Sequence, residues 1–161
     1  MTGSEATGYD CLSSRMVVKG ALRAFLLDCF EIPESQLFVG HDDRVGEELE
    51  EVPEDAVFSV FCTYREVCGH FTMSFSVGVE GWLADRVGRQ EFAERFAAHF
   101  GVYVLYGDTE PPGLWTVILE DGSRLRVAMD EEDDRYELWA ATAAVPGLPG
   151  IRVDEGLWRR G

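Results

Sequence analysis

Residues 57–79 contain two runs of alternating apolar and polar side chains, separated by a short break. The apolar positions of the second run are Phe71, Met73, Phe75, Val77 and Val79. Those of the first run are Phe58, Val60, Cys62 and Tyr64. A period of two is typical of an antiparallel strand with one buried face. This stretch therefore predicts a β-hairpin and shows which of its faces is turned towards a core.

The same pattern predicts the turn of this first hairpin. A four-residue loop, 66–69, pairs Tyr64 with Phe71 and Cys62 with Met73, so that the apolar residues share one face. A three-residue loop would set each apolar residue opposite a Ser or Thr. We therefore expect the four-residue loop.

The rest of the chain shows helix and strand patterns in turn. Apolar residues at i, i+3 and i+4 predict a helix over 16–30, capped by Ser13 or Ser14, and a second helix over 83–100. Short β-favouring runs predict strands at 36–39 and 102–106. In 41–55, eight of fifteen residues are Asp or Glu, and we expect an exposed loop with about one helical turn there.

A second hairpin is predicted over 114–129, with Asp121-Gly122 as its turn. A two-residue turn pairs Ile118 with Leu125 and Thr116 with Val127. The opposite face of this hairpin then carries Trp115, Val117, Leu119, Arg124 and Arg126.

The segment 131–145 begins in the acidic run 130–134 and is rich in alanine. Acidic residues favour the start of a helix and alanine favours its interior, so a third helix is predicted. A strand over Tyr136–Ala140 is the alternative. We expect residues 1–11 to be a flexible N-terminus and 146–161 an irregular C-terminal tail.

These elements predict a single α+β domain over 1–161, in the order α-βββ-α-βββ-(α). The expected sheet is antiparallel, with about five to six strands, and carries two or three helices. In element order, size and acidity, residues 13–145 resemble the two-layer α+β proteins of the bacterial secretion-chaperone type. That resemblance implies a non-enzymatic binding protein, often dimeric.

The chain has 30 acidic and 14 basic side chains, a net charge of −16. Such a charge repels nucleic acid and anionic membranes and favours a basic partner. The sequence shows no signal-peptide pattern, no apolar run of membrane-spanning length, and no CxxC among its 4 cysteines. We therefore expect a cytoplasmic protein that binds another protein, and its charge favours a basic one. We expect it to bind neither nucleic acid nor membrane. A homodimer is a further alternative for its assembly.

Two surfaces are candidates for that partner. One is the outer face of the second hairpin, because Trp and Arg are enriched at interface hot spots: Trp115, Val117, Leu119, Arg124 and Arg126. The other is acidic and suits a basic partner: Glu47, Glu48, Glu50 and Glu51. The alternatives are a hairpin covered by the C-terminal part of the chain and an acidic segment that is merely solvated.

Candidate catalytic chemistry is limited to Cys68 and His70, a thiol on a turn beside an imidazole. The spacing of Cys62, Cys68 and His70 matches no usual zinc site, and His41 with Asp42 and Asp43 lacks further ligands. No phosphate-binding loop or hydrolase motif occurs. No metal or cofactor is therefore expected.

The sequence thus predicts an acidic protein-binding protein without catalysis, with an immunity-like (toxin-neutralising) or chaperone-like role. The alternatives are a small enzyme that uses the Cys68/His70 thiol and an acidic mimic of nucleic acid.

Overall fold

The computed structural model describes residues 7–107 and 114–159, an α+β arrangement with ten strands and four helices. The strands are β1 (Thr7–Ser13), β2 (Leu37–His41), β3 (Val60–Glu66), β4 (Cys68–Gly69), β5 (Met73–Val79), β6 (Val104–Gly107), β7 (Leu114–Ile118), β8 (Arg124–Glu132), β9 (Arg135–Ala141) and β10 (Arg152–Val153). The helices are α1 (Lys19–Phe30), α2 (Val45–Glu50), α3 (Gly81–Arg86) and α4 (Arg89–Phe100). Short 3-10 helices cover Glu34–Gln36, Asp42–Arg44 and Glu155–Arg159.

All of these strands belong to one sheet, in the order β10-β9-β8-β7-β6-β1-β5-β3-β2, with β4 beside β9. Most neighbours are antiparallel, but β2 is parallel to β3, and both β10 and β4 are parallel to β9. The expected antiparallel sheet of five to six strands with two or three helices is therefore wrong. Part of the difference lies in β4 and β10, which have only 2 residues each and are too short to show an alternating pattern.

The strand pairings form a closed ring. β4 follows β3 after one residue and pairs with β9, so the ring runs β9-β8-β7-β6-β1-β5-β3 and returns to β9 through β4. At the closure, the N–H of Cys68 donates to the carbonyl of Asp134 (2.9 Å) and the N–H of His70 donates to that of Tyr136 (2.8 Å).

Gly69 permits this closure. Its φ of +101° lies in the region that favours glycine, because other residues are strained there. A Cβ at this position would overlap the carbonyl of Tyr136 and lie 2.9 Å from the Tyr136 nitrogen. The β4 and β9 backbones can therefore approach this closely only with glycine at position 69.

The sheet buries apolar residues on both faces. Helices α1 and α4 cover one face, where Phe75 of β5 stacks on Phe96 of α4 with ring centroids 4.8 Å apart, and Phe25 of α1 meets Phe96 edge-on at 5.4 Å. The other face lines the inside of the ring. Its core includes Leu12, Phe71, Leu105, Val117, Val127 and Leu138.

The first hairpin has the predicted faces in a different register. Tyr64 pairs with Phe75 and Cys62 with Val77, a shift of four residues from the expected partners. An even shift leaves each side chain on its face, so Cys62 is still buried under the helices. The prediction of a four-residue loop is wrong, because residues 67–72 connect β3 to β5 and contain β4. Phe71, in this connection, is buried inside the ring.

The register of the second hairpin differs by one residue from the predicted register. The side chains of β7 that were expected beside Arg124 and Arg126 therefore share a face with Leu125 and Val127. Leu119 donates its N–H to Ser123 (2.8 Å) around a three-residue loop, 120–122, in which Gly122 takes a φ of +87°. Val117 therefore pairs with Leu125, and the expected two-residue turn is wrong. The observed register lets the ring bury Val117, Leu125 and Val127 together, which the expected register could not.

Within 131–145, residues Arg135–Ala141 form the strand β9, so the expected third helix is wrong and the alternative strand over Tyr136–Ala140 is confirmed. Tyr136 and Leu138 are buried inside the ring, and this burial outweighs the helix propensity of the alanines. Asp133 and Asp134 adopt φ of 49° and 62° in the turn between β8 and β9. The acidic run 130–134 is therefore the tip of a third hairpin.

Several boundaries also differ. Residues 7–11 were expected to be flexible but lie in β1, between β5 and β6, while 1–6 fall outside the described residues. α1 begins at Lys19 without a side-chain cap from Ser13 or Ser14. The helix expected over 83–100 is two helices, α3 and α4. The tail, in its described part, contains β10 and a 3-10 helix.

We expect Gly69→Ala to lower the free energy of unfolding by at least about 2 kcal/mol, since the methyl group would push β4 from β9 and the backbone would be strained. Urea unfolding measures this loss. The matched control is Gly20→Ala in α1, where a Cβ meets nothing within 4 Å and stability should be kept. A Gly69→Ala protein as stable as the wild type would contradict the ring closure.

Candidate functional site

A pocket of about 280 Å³ opens at the mouth of the ring. One wall is the polar face of β1, β3 and β5, and the opposite wall comes from the hairpin of β8 and β9. The polar face follows from the alternation along these strands, because Thr63, Ser74 and Ser76 alternate with residues that are buried under the helices. Mouths of β-barrels are common ligand sites.

Arg65 joins the two walls. Its Nη2 donates to Asp134 Oδ1 (3.0 Å) and to the hydroxyl of Tyr136 (3.4 Å), and its Nη1 lies 3.9 Å from Asp42 Oδ2. Burial acts to lower the pKa of Arg65, but Asp134 and the Tyr136 hydroxyl outweigh it and raise that pKa. The Arg65 Nε is buried and has no hydrogen-bond partner among the described residues.

These contacts bring together two acidic runs that are far apart in the sequence. Asp42 begins the run 42–55 and Asp134 ends the run 130–134, and both contact Arg65. We call the carboxylates at the two joined ends of these runs, together with Glu66, the acidic rim: Asp42, Asp43, Glu66, Glu131, Glu132, Asp133 and Asp134. Two of these carboxylates, Asp42 and Glu131, line the pocket, and Asp134 contacts the pocket residue Arg65.

His41 and Glu66 form a further contact at the rim. His41 Nε2 lies 2.7 Å from Glu66 Oε1, while His41 Nδ1 accepts the N–H of Asp43 (3.1 Å). The hydrogen bond raises the pKa of His41 and lowers that of Glu66. The pair therefore stabilises the fold most between the two pKa values, and less as pH falls through the Glu66 pKa or rises through that of His41. Protonation of His41 Nδ1 would break the hydrogen bond that it accepts from the Asp43 N–H, and this opposes the rise in the His41 pKa.

Trp115 forms the aromatic side of the pocket. It pairs with Gly107 on β6, and a Cβ at Gly107 would lie only 2.8 Å from Cζ3 of the indole. The indole therefore lies on the bare backbone of Gly107, half-buried, with one side on the pocket. Asp10 of β1 also lines the pocket, and its Oδ1 accepts the hydroxyl of Ser76 (2.7 Å).

The structure separates the residues of the predicted hairpin surface. Trp115 lines the pocket, but Val117 and Leu119 are buried in the core of the ring. Arg124 and Arg126 lie on the other face of β8, where Arg124 Nη1 donates to Gln90 Oε1 of α4 (2.8 Å). These five residues therefore do not share one surface.

The predicted acidic surface is on α2. Glu47, Glu50 and Glu51 are exposed on this helix or at its end, as expected. Glu48 turns inward: its Oε1 is 3.2 Å from Lys19 Nζ, and its Oε2 is buried against Gly40. Glu48 is therefore part of the packing of α2 on β2.

Sequence reasoning missed the pocket residues Asp10, Thr63, Ser74, Ser76 and Glu131. The polar alternation of β5 was visible, but it is equally typical of a solvent-exposed face. Only the closure through β4, a two-residue strand without a sequence signal, turns that face into a pocket wall.

Cys68 and His70 are placed at the ring closure. Cys68 Sγ lies 3.5 Å from the carbonyl of Asp134, and His70 Nδ1 accepts the N–H of Leu138 (2.9 Å). No hydrogen bond joins the two side chains. Burial raises the pKa of Cys11 to about 12 and that of Cys29 to about 11, and it also raises the pKa of Cys62. The three buried thiols are therefore protonated at neutral pH.

Within the described residues, no group of three or more His, Cys, Asp and Glu side chains is arranged to hold a metal ion. In the same residues, no helix has the length and apolar character needed to cross a membrane.

No family model matches the sequence, and neither a curated protein nor a solved structure matches it. The comparisons thus leave the resemblance to secretion chaperones without support from relatives.

We expect one thiol, Cys68, to react rapidly with a disulfide reagent in the folded protein, because the other three are buried. All four should react after unfolding, and Cys68→Ser should remove the fast reaction.

His70→Asn retains an acceptor for the Leu138 N–H and should leave the Cys68 rate unchanged, because no hydrogen bond links the thiol to the imidazole. A fall of about tenfold or more in that rate would favour the thiol-enzyme alternative instead.

Proposed function

We propose that this protein binds a basic protein partner through the acidic rim and performs no catalysis itself. The observation that supports this most is the contact of both Asp42 and Asp134 with Arg65, which gathers two distant acidic runs on one surface. The rest of the chain reinforces the resulting field, since its net charge is −16.

Electrostatics of this kind acts mainly on the rate of association. A surface of one sign steers a partner of the opposite sign and raises the association rate, and salt weakens it because the Debye length is only about 8 Å at physiological ionic strength. Individual exposed ion pairs contribute little, about 0.5 kcal/mol each. Affinity therefore requires the rim to act as a group.

The rigidity of the elements that carry the acidic rim favours the immunity-like role over the chaperone-like role. The rim carboxylates sit on strands, a 3-10 helix and a tight turn, so they are fixed before the partner arrives. We therefore propose that a folded, basic toxin-like protein is the partner.

The compartment we propose is the cytoplasm. All four cysteines are free, and the three buried ones lie in the core without forming a disulfide. Free thiols fit a reducing compartment.

Capture from an extract of the source organism tests the docking surface when two matched variants are compared. The rim variant carries Asp43→Asn, Glu132→Gln and Asp133→Asn, three exposed residues that make no contact with Arg65. The control variant carries Asp28→Asn, Glu91→Gln and Glu155→Gln, exposed on α1, α4 and the C-terminal 3-10 helix. Each has a net charge of −13, which is −16 with three carboxylates removed.

We expect the wild type and the control variant to retain the same basic protein, and the rim variant to retain it about tenfold less well. Retention should fall as salt is raised from about 0.1 M to about 0.5 M. Equal retention by the two variants would contradict docking on the rim. Displacement of the partner by nucleic acid would identify the rim as a nucleic-acid mimic.

A further inference from the structure

We propose that the pocket at the mouth of the ring binds one arginine side chain of a basic polypeptide, with the guanidinium between Asp10 and Glu131 and against the indole of Trp115. This inference rests on the proposed function and deepens it, because it names the group of the partner that enters the site.

The charges of the lining select a cation. Three carboxylates, from Asp10, Asp42 and Glu131, line the pocket with one guanidinium, that of Arg65. Arg65 is itself neutralised, since Nη2 is 3.0 Å from Asp134 and Nη1 is 3.9 Å from Asp42. An anionic ligand would meet a negative field, with no free cation to bind it among the described residues that line the pocket.

The polar groups of the wall have unused hydrogen-bonding capacity. Asp10 uses Oδ1 to accept from Ser76 (2.7 Å), which leaves Oδ2 as an acceptor. The hydroxyls of Thr63 and Ser74 make no side-chain hydrogen bond among the described residues, although both line the pocket. A guanidinium has five N–H donors and matches such a set of acceptors better than an ammonium does.

Trp115 supplies the second element of arginine recognition. Guanidinium groups stack on aromatic faces, and tryptophan is the best partner in such cation–π contacts. The indole packs against Gly107, which leaves no room for a side chain there, and this contact orders the indole before a ligand binds. Leu12 and Leu105 form the apolar base on which the methylene groups of an arginine can pack.

The proposed function makes the ligand a polypeptide, because the partner is a basic protein whose surface offers arginine side chains. The Nε of Arg65 has no acceptor among the described residues, but it is buried and a ligand in the pocket does not reach it. The arginine is therefore bound by the exposed carboxylates and the indole.

Two-dimensional amide NMR tests the site with N-acetyl-arginine amide as the probe and N-acetyl-citrulline amide as its uncharged isostere. A ligand of this size should bind with a dissociation constant on the order of 1 mM. We expect the arginine probe to shift the indole N–H of Trp115 and the amides of Ser74 and Ser76, and the citrulline probe to bind at least about tenfold more weakly. Equal binding of the two probes, or no shift at these residues, would overturn the inference.

Asp10→Asn keeps the acceptor for Ser76 and removes the charge, and it should weaken the arginine probe about tenfold. Asp28→Asn, an exposed change on α1, should leave binding unchanged. Loss of the same size in both variants would show a general charge effect and would also overturn the inference.

The inference and the proposed function can fail separately. Retention of a partner that depends on the rim but is indifferent to Asp10→Asn overturns the arginine site and leaves the docking function intact. Binding of the arginine probe in the pocket, without any partner that depends on the rim, supports the site and removes the proposed function.

Discussion

The pairing of β4 with β9 is the contact on which the rest of the structure depends. It consists of two residues, and it exists because Gly69 has no side chain to strike the carbonyl of Tyr136. Without it, the sheet would be an open layer with helices on one face and a bare face on the other. With it, the second face becomes the inside of a ring and buries its own core, which includes Phe71 and Leu138.

The closure also creates the candidate site. It brings the tip of the third hairpin over the polar face of β3 and β5, where Arg65 binds Asp134. An acidic run that would otherwise be solvated is thereby held beside a second one. Each run contributes one carboxylate, Asp42 or Glu131, to a pocket that Trp115 also lines. Binding through this site would be sensitive to salt at the rim and to shape and hydrogen bonding in the pocket, two properties that different variants can separate.

Much of the core under the helices is predictable from the sequence. The alternation around Cys62 and Phe75 defines the buried face of this hairpin in either register. The register of this hairpin is not predictable, because an even shift leaves the burial pattern unchanged. The choice between the two registers depends on β4, whose sequence shows no strand pattern. In the second hairpin, Asp121-Gly122 indicates a turn, but glycine suits both two-residue and three-residue loops, and Trp115 was therefore assigned to the wrong face. The candidate site could not be predicted, because Asp10, Ser76 and Glu131 meet only through long-range pairing.

Hydrogen exchange at single amides tests the closure most directly. The N–H groups of Cys68 and His70 donate to the carbonyls of Asp134 and Tyr136, far from either residue in the sequence. No other element of the described residues pairs with β4. We expect both amides to be protected by a factor comparable to that of the amides in β5, the next strand in the chain. Both should lose that protection together in Gly69→Ala. Exchange of both at the rate of an exposed loop, while β5 stays protected, would show that the ring is open and that the pocket does not exist.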